Sequence, residues 1–319
     1  MRALRVDGVG AAPKVAEVAP PVVGPGDLVV GVRACGLNFA DLLMIDGKYQ
    51  ERQTPPFTLG MEVSGEVLEV GPAVTGFAVG DRVIGFPGHG GLAERALVPA
   101  ARCVALPGAM DHVTGAAFQV AYGTSHLALT GPAALRAGET LLVLGAAGGV
   151  GLTAVEVGVQ LGARVIAVAR GAEKLAVAAA AGAEHLIDST ASDLRAEVKA
   201  LGGADVVYDP VGGPDFMAAL RATRPGGRLL VIGFASGEVP QIPANLLLVK
   251  NLSVMGFYWG GYLAFAPDRL TGSLAELMDW HADGRLKPHV SHVLPLERAT
   301  EGLDLLRSRR STGKVVITI

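Results

Sequence analysis

The stretch Gly145-Ala146-Ala147-Gly148-Gly149-Val150-Gly151 stands between the apolar run Thr140-Leu141-Leu142-Val143-Leu144 and a helix-like segment. A buried strand, a turn almost without side chains and a helix N-terminus, in that order, form a place to hold a pyrophosphate. Glycine lets the main chain approach the phosphates, and the first free N–H groups of the helix hydrogen-bond them. In the G-x-G-x-x-G pattern, Ala146 takes the place of the first glycine, while Gly148 and Gly151 keep the other two. Glycine also serves tight turns that hold no ligand, so the flanking strand and helix carry the reading.

The end of the next strand bears on the cofactor. An Asp or Glu there would bind the 2′-hydroxyl of NAD and repel a 2′-phosphate. Arg170 stands there instead, with Lys174 four residues further on. Two cations offer charge-assisted donors suited to a phosphate, which points to NADPH. The plainer alternative makes Arg170 a solvated strand end and Lys174 a helix-surface lysine beside Glu173.

Composition narrows the class. A chain of 319 residues exceeds what one hydrophobic core usually serves, so two domains are expected. Half the residues are apolar and only 18% are charged, which argues against disorder. A net charge near −3 gives no electrostatic case for nucleic acid, and the cluster Arg307, Arg309 and Arg310 reads as a solvated helix end. Two distant cysteines, Cys35 and Cys103, define neither a disulfide framework nor a zinc site. The N-terminus lacks a signal-peptide h-region, and Gly, Pro or charge breaks each apolar run short of a membrane span. A soluble, cytoplasmic protein with reduced thiols is expected.

Texture divides the chain. Up to about residue 118, short runs such as Asp27–Val32, Glu66–Val70 and Asp81–Gly85 alternate with Gly and Pro clusters, as in a compact β-barrel. Beyond about 120, strand candidates Thr140–Leu144, Arg164–Ala169, His185–Ile187, Asp205–Tyr208 and Arg228–Ile232 alternate with helical stretches. Such units build a parallel sheet covered on both faces. From about 264, helices near Leu270–His281 and Leu296–Ser308 and a strand Lys314–Ile319 cannot extend that sheet in simple order. The expected division is 1–120 with 264–319 for the first domain, and 121–263 for the nucleotide-binding one.

The ordered series Cys35-Gly36-Leu37-Asn38-Phe39-Ala40-Asp41, Gly60-Met61-Glu62-Val63-Ser64-Gly65, Gly80-Asp81-Arg82-Val83, Ala146–Gly151, Asp205-Val206-Val207-Tyr208-Asp209 and Pro225-Gly226-Gly227-Arg228 resembles the medium-chain dehydrogenase/reductase superfamily, in its zinc-independent quinone oxidoreductase (zeta-crystallin-like) branch. The resemblance implies an α/β fold: a GroES-like β-barrel catalytic domain plus a Rossmann-type doubly wound parallel-sheet domain. The zinc-ligand positions of the metal-dependent members map onto Asn38 and Met61, and an amide and a thioether cannot replace imidazole and thiolate as strong zinc ligands. No metal is expected, and Cys35, offset from the ligand position, reads as a packed thiol. Without a Lewis acid the chemistry must suit an acceptor that takes hydride readily, a quinone or a conjugated carbonyl.

Residue by residue, the resemblance places Asn38 beside nicotinamide and substrate, makes Asp41 the acid that follows it, and makes Tyr49 an active-site tyrosine able to hydrogen-bond a developing oxyanion. Tyr49 packing on Pro55-Pro56 is the alternative. Cofactor contacts are implied at Asn38, at Thr124 near the nicotinamide, and at Ala147, Gly148, Gly149, Val150 and Gly151. They continue at Arg170, Lys174 and Ser189, along Ile232, Gly233, Phe234 and Ala235, at Phe257, Tyr258 and Trp259, and at Arg309. Two departures stand out: Leu43 replaces a second tyrosine, and Ser189 replaces a tyrosine near the adenosine phosphate. The aromatic trio would offer a flat wall to a planar acceptor, or a subunit contact. The implied activity is NADPH:quinone reduction. An NADPH-dependent enone or 2-enoyl reductase, or a non-catalytic NADPH-binding protein, are the alternatives. A homodimer through edge strands such as Leu252–Gly256 is implied, with no nucleic-acid or membrane partner.

Overall fold

The computed structural model describes all 319 residues, which divide into two units: Met1–Val120 with Pro288–Ile319, and Ala121–Lys287. The second unit is built on six parallel strands. Counted in chain order within the unit, they are Thr140–Leu144, Arg164–Ala169, His185–Asp188, Ala204–Asp209, Thr223–Val231 and Ser253–Gly256. They lie side by side as 3-2-1-4-5-6, the doubly wound order. Thr140–Leu144 is buried at every position because helices cover both faces of the sheet, and its apolar run carries no alternation. One layer of the core packs Leu142, Ile166, Val207, Phe216 and Leu220 together. The chain order reverses on either side of Thr140–Leu144, and beyond the carboxyl ends at that point α/β sheets bind their ligands.

Asp209 closes the fourth strand at this end. Its Oδ1 accepts hydrogen bonds from the N–H groups of Val211 (2.7 Å) and Gly212 (2.9 Å), which fixes the turn into the helix Gly213–Ala222. Burial pushes its carboxyl up to about 6, against the pull of those two amides.

The return to the first unit comes at Pro288, which corrects the expected boundary at 264. The reason lies in the helix Pro267–Ala282. Its Ser273 hydroxyl sits 2.8 Å from Nδ1 of the buried His126, and its Trp280 meets the His126 ring edge-on at 5.0 Å. Just beyond it, Arg285 donates to Gln160 at 3.0 Å and the Lys287 N–H donates to Glu156 at 3.0 Å. These contacts fasten the helix to the nucleotide unit, whereas periodicity alone cannot say which core a helix covers.

In the first unit, one sheet runs in the order Val290–Pro295, Lys314–Thr318, Asp27–Gly36, Glu62–Val70, Arg82–Gly85, Cys103–Ala105, with Arg95–Pro99 also paired to Asp27–Gly36. A second sheet joins Lys14–Glu17, Arg2–Val6 and Phe57–Thr58. Registers matter more than strand count here. Antiparallel pairing sets Val316 opposite Gly36, and Gly36 opposite Glu62 on its other side. Carried two residues on, the first register brings Lys314 level with Asn38. The last strand of the chain thus delivers a lysine to the loop that follows Gly36.

Between about pH 4 and 6 the folded state holds a proton on Asp209 that the unfolded chain has released, so this group's contribution to stability falls as pH rises through that window. Asp209→Asn keeps the acceptor and removes the buried charge. Chemical denaturation of the variant should match the parent near pH 4 and show a gain of about 1–3 kcal/mol above pH 6.5.

Candidate active site

Asn38 sits at the foot of the helix Phe39–Ile45, between two buried charges. The Lys314 ammonium donates to the Leu37 carbonyl at 2.8 Å, to Asn38 Oδ1 at 2.8 Å and to Glu62 Oε1 at 2.7 Å. Asn38 Nδ2 donates to the same Glu62 Oε1 at 2.8 Å and lies 3.3 Å from the Gly36 carbonyl. Glu62 Oε2 accepts the Val120 N–H at 2.9 Å. The Glu62 side chain is fully buried and that of Lys314 is 6% exposed. Such charges are held inside a protein only when every polar atom finds a partner, and here they do.

The arrangement requires a glycine at 36. A Cβ there would lie 2.8 Å from Glu62 Oε1 and 2.1 Å from the Ala116 carbonyl oxygen. With no side chain between them, Lys314 and Glu62 meet across the middle strand.

Asp41 is fully buried, and its two carboxylate oxygens accept the N–H groups of Asn38 (2.8 Å) and Gly60 (3.2 Å). Burial pushes it up to about 6, against those amides and Lys314. This geometry gives Asp41 the work of holding two loops together; it touches no solvent from which a substrate could approach. Tyr49, expected at the active site, is only 7% exposed. The Cys35 thiol is buried and burial raises it well above its ordinary value, leaving it a packed thiol.

In the second unit, the turn after Thr140–Leu144 divides its requirements unexpectedly. The tight turn is made by Gly145, whose φ of +60° suits glycine, rather than at position 146, where the pattern expects it. Gly151 lets helix and strand approach: a Cβ there would lie 2.2 Å from the Gly145 carbonyl oxygen. Gly148, at φ −81°, is the N-cap of the helix Gly149–Gln160, which has no side-chain cap. A Cβ on Gly148 would meet nothing of the chain closer than 3.4 Å. Its missing side chain therefore leaves room outside the fold, over uncapped amides. Behind the turn, Ser125 Oγ donates to the Val150 carbonyl at 2.9 Å and lies 2.8 Å from Thr153 Oγ1 and 3.1 Å from the Tyr208 hydroxyl. Thr124, one residue earlier, is buried in the helix Gln119–Thr130.

Pairing of Ala169 with Asp188 brings Arg170 and Ser189 to neighbouring strand ends, with Lys174 in the helix Ala172–Ala180 just beyond. The Ser189 N–H donates to the Ala169 carbonyl at 3.1 Å. An acid unforeseen from the sequence lies close by: Asp215 feels the Arg170 charge, which opposes the rise that burial imposes on its carboxyl. Ile232 and Gly233 follow the fifth strand, each donating its N–H to the Asp209 carbonyl, at 2.9 and 3.3 Å, with Phe234 exposed and Ala235 next. The aromatic trio does not form one wall. Phe257 and Trp259 are buried, Trp259 against the backbone of Gly123, and only Tyr258 faces solvent. Arg309 belongs to the first unit, in a left-handed conformation past the end of the helix Ala299–Arg307.

Comparison with known proteins agrees with this architecture. Residues 24–108 match the alcohol dehydrogenase GroES-like domain and residues 149–280 the zinc-binding dehydrogenase family. Quinone oxidoreductase-like protein 2 of Bos taurus is 41% identical over 307 residues, covering 95% of this chain and 88% of its own. The chain belongs to the zinc-independent quinone oxidoreductase branch of the medium-chain dehydrogenase/reductases. Among solved structures, the quinone oxidoreductase of Thermus thermophilus, solved also in complex with NADPH, aligns at TM-score 0.87 with 34% identity over all of both chains. The Escherichia coli quinone oxidoreductase complexed with NADPH aligns at 0.94 with 27% identity, again over all of both chains. As a medium-chain family oxidoreductase the protein combines a GroES-like unit with a Rossmann-like one.

The donor set does not fit the metal in the second matched family's description. No group of three or more His, Cys, Asp or Glu is placed to hold an ion, and at Asn38 an ammonium already stands 2.8 Å from the amide oxygen. Sequence reading missed Glu62 and Lys314 as site residues. Their signals were faint: Glu62 lies inside a recognised motif, and Lys314 opens an otherwise apolar strand.

Gly36→Ala should destabilise the protein by about 1–3 kcal/mol through overpacking. Gly151→Ala should do the same, whereas Gly148→Ala should stay within about 1 kcal/mol of the parent in denaturant titration.

Proposed function

We propose that the protein is an NADPH:quinone reductase. The observation that carries the reading is the pair Arg170 and Lys174 at the second strand's end, in the unit whose glycine turn opens a helix with no side-chain cap. Gly149, Val150 and Gly151 would hold the pyrophosphate with backbone N–H groups, and the two cations with Ser189 would hold the 2′-phosphate. Asp215 beside Arg170 tempers that attraction without replacing it. When bound, NADPH supplies a hydride from its dihydronicotinamide C4.

The chain's own part is to bind, orient and keep the acceptor dry. Asn38 is the one half-exposed polar side chain of its buried cluster, and so the member of it that a ligand can reach. With no electrophilic metal to polarise a simple ketone, the acceptor must delocalise the arriving charge by itself, which a quinone does through both oxygens. Tyr49 is the phenol we assign to the developing oxyanion. The edge strand Ser253–Gly256 is paired on one side only, and a homodimer through it accords with the fold.

A panel of quinones and enones, followed by loss of NADPH absorbance, tests the substrate class. Turnover of quinones with enones inert is expected; the reverse pattern makes the protein an enone reductase, and tight NADPH binding without turnover makes it a binding protein. Arg170→Ala with Lys174→Ala should raise the KM for NADPH about 10- to 100-fold and leave that for NADH nearly unchanged. An equal effect on both cofactors would contradict the 2′-phosphate assignment. Gly148→Ala, which the fold tolerates, should weaken NADPH binding at least about tenfold in a fluorescence titration.

A further inference from the structure

We infer that Lys314 and Glu62 are positioning residues that lock the Asn38 carboxamide in one orientation. The inference rests on the reading of Asn38 as an active-site residue. An asparagine amide can normally turn over, exchanging oxygen and nitrogen at little cost. Here the exchange would set an NH2 group against the Lys314 ammonium and a carbonyl oxygen against the Glu62 carboxylate, two repulsive contacts at 2.8 Å in a buried place. Only one orientation survives.

That orientation has a chemical consequence. One Nδ2–H is taken by Glu62 Oε1 at 2.8 Å, and the Gly36 carbonyl lies 3.3 Å from the same nitrogen. Oδ1 accepts from Lys314, and the capping box at the helix start turns the same side chain toward the Asp41 N–H. Asn38 is therefore held at both ends of its carboxamide, and a ligand beside it meets the group in one fixed geometry. The pair itself is held from both sides: Lys314 directs its three protons to Leu37, Asn38 and Glu62, and Glu62 Oε2 is tied to the Val120 amide. A metal of the dehydrogenase type orders its ligands through coordination; in this chain an ammonium orders an amide through hydrogen bonds.

Two measurements test this together. The Asn38 side-chain amide, assigned in a 15N–1H correlation spectrum as the pair of peaks lost in Asn38→Ala, should be resolved and slow to exchange in the parent. In Lys314→Met it should shift and exchange at least about tenfold faster. With NADPH and the best quinone, the same variant should lose kcat about 10- to 100-fold with the KM for NADPH within about threefold, the mark of misplacement rather than lost binding. Should Lys314→Met fail to fold because Glu62 is left as a lone buried charge, Lys314→Met with Glu62→Leu removes both charges and serves in its place. Parent-like kcat in a folded variant, or an amide whose exchange ignores Lys314, overturns the inference. If the parent turns over no acceptor at all, the proposed function fails, while the amide measurement still decides the positioning role.

Discussion

The first unit is organised around one buried ion pair. Lys314 arrives on the last strand of the chain and Glu62 on a strand from its first quarter, and they meet at 2.7 Å over a glycine that supplies only backbone. Losing one partner of such a pair costs about 3–5 kcal/mol, because the other is left charged and dry. The pair thus ties the chain's end to its beginning, while a well-packed apolar substitute could be equally stable. What an apolar substitute could not do is dictate how Asn38 points.

The nucleotide unit solves a different problem with equally few residues. Three glycines of one turn differ in what they do: Gly145 takes a positive φ, Gly151 allows a close approach, and Gly148 lies exposed at the N-cap of the helix. Ser125, Thr153 and Tyr208 hold the turn from behind, so its amides are fixed before anything binds. Preorganised donors of this kind bind a phosphate without an ordering cost at the moment of association. In both units the groups facing outward are few, and the groups behind them are numerous and buried.

Much of this was legible in the residues. The doubly wound sheet followed from five apolar runs spaced by helical stretches, and the strands appear within a few residues of their expected bounds, as with Thr140–Leu144 and Arg164–Ala169. The helix Pro267–Ala282 was visible as a helix, but its partner was not, because an apolar stripe does not name the surface it covers. Its attachment through Ser273 and Trp280 depends on His126, well over a hundred residues earlier. The burial of the aromatic trio was illegible for a related reason: Phe257 and Trp259 are buried and Tyr258 is exposed, and composition cannot show direction. Lys314 was the least legible of all. A lysine opening a strand reads as a solvated end, and only the registers on both sides of Gly36 bring it to Glu62.

On this reading an ammonium–carboxylate pair has replaced metal coordination at the site, and reduction proceeds without a Lewis acid. The most direct test is turnover of NADPH after exhaustive dialysis against a strong chelator, with elemental analysis of the same sample. Undiminished kcat at far below one equivalent of zinc per chain is the expected result. Activity that disappears with the metal and returns on adding zinc would contradict it.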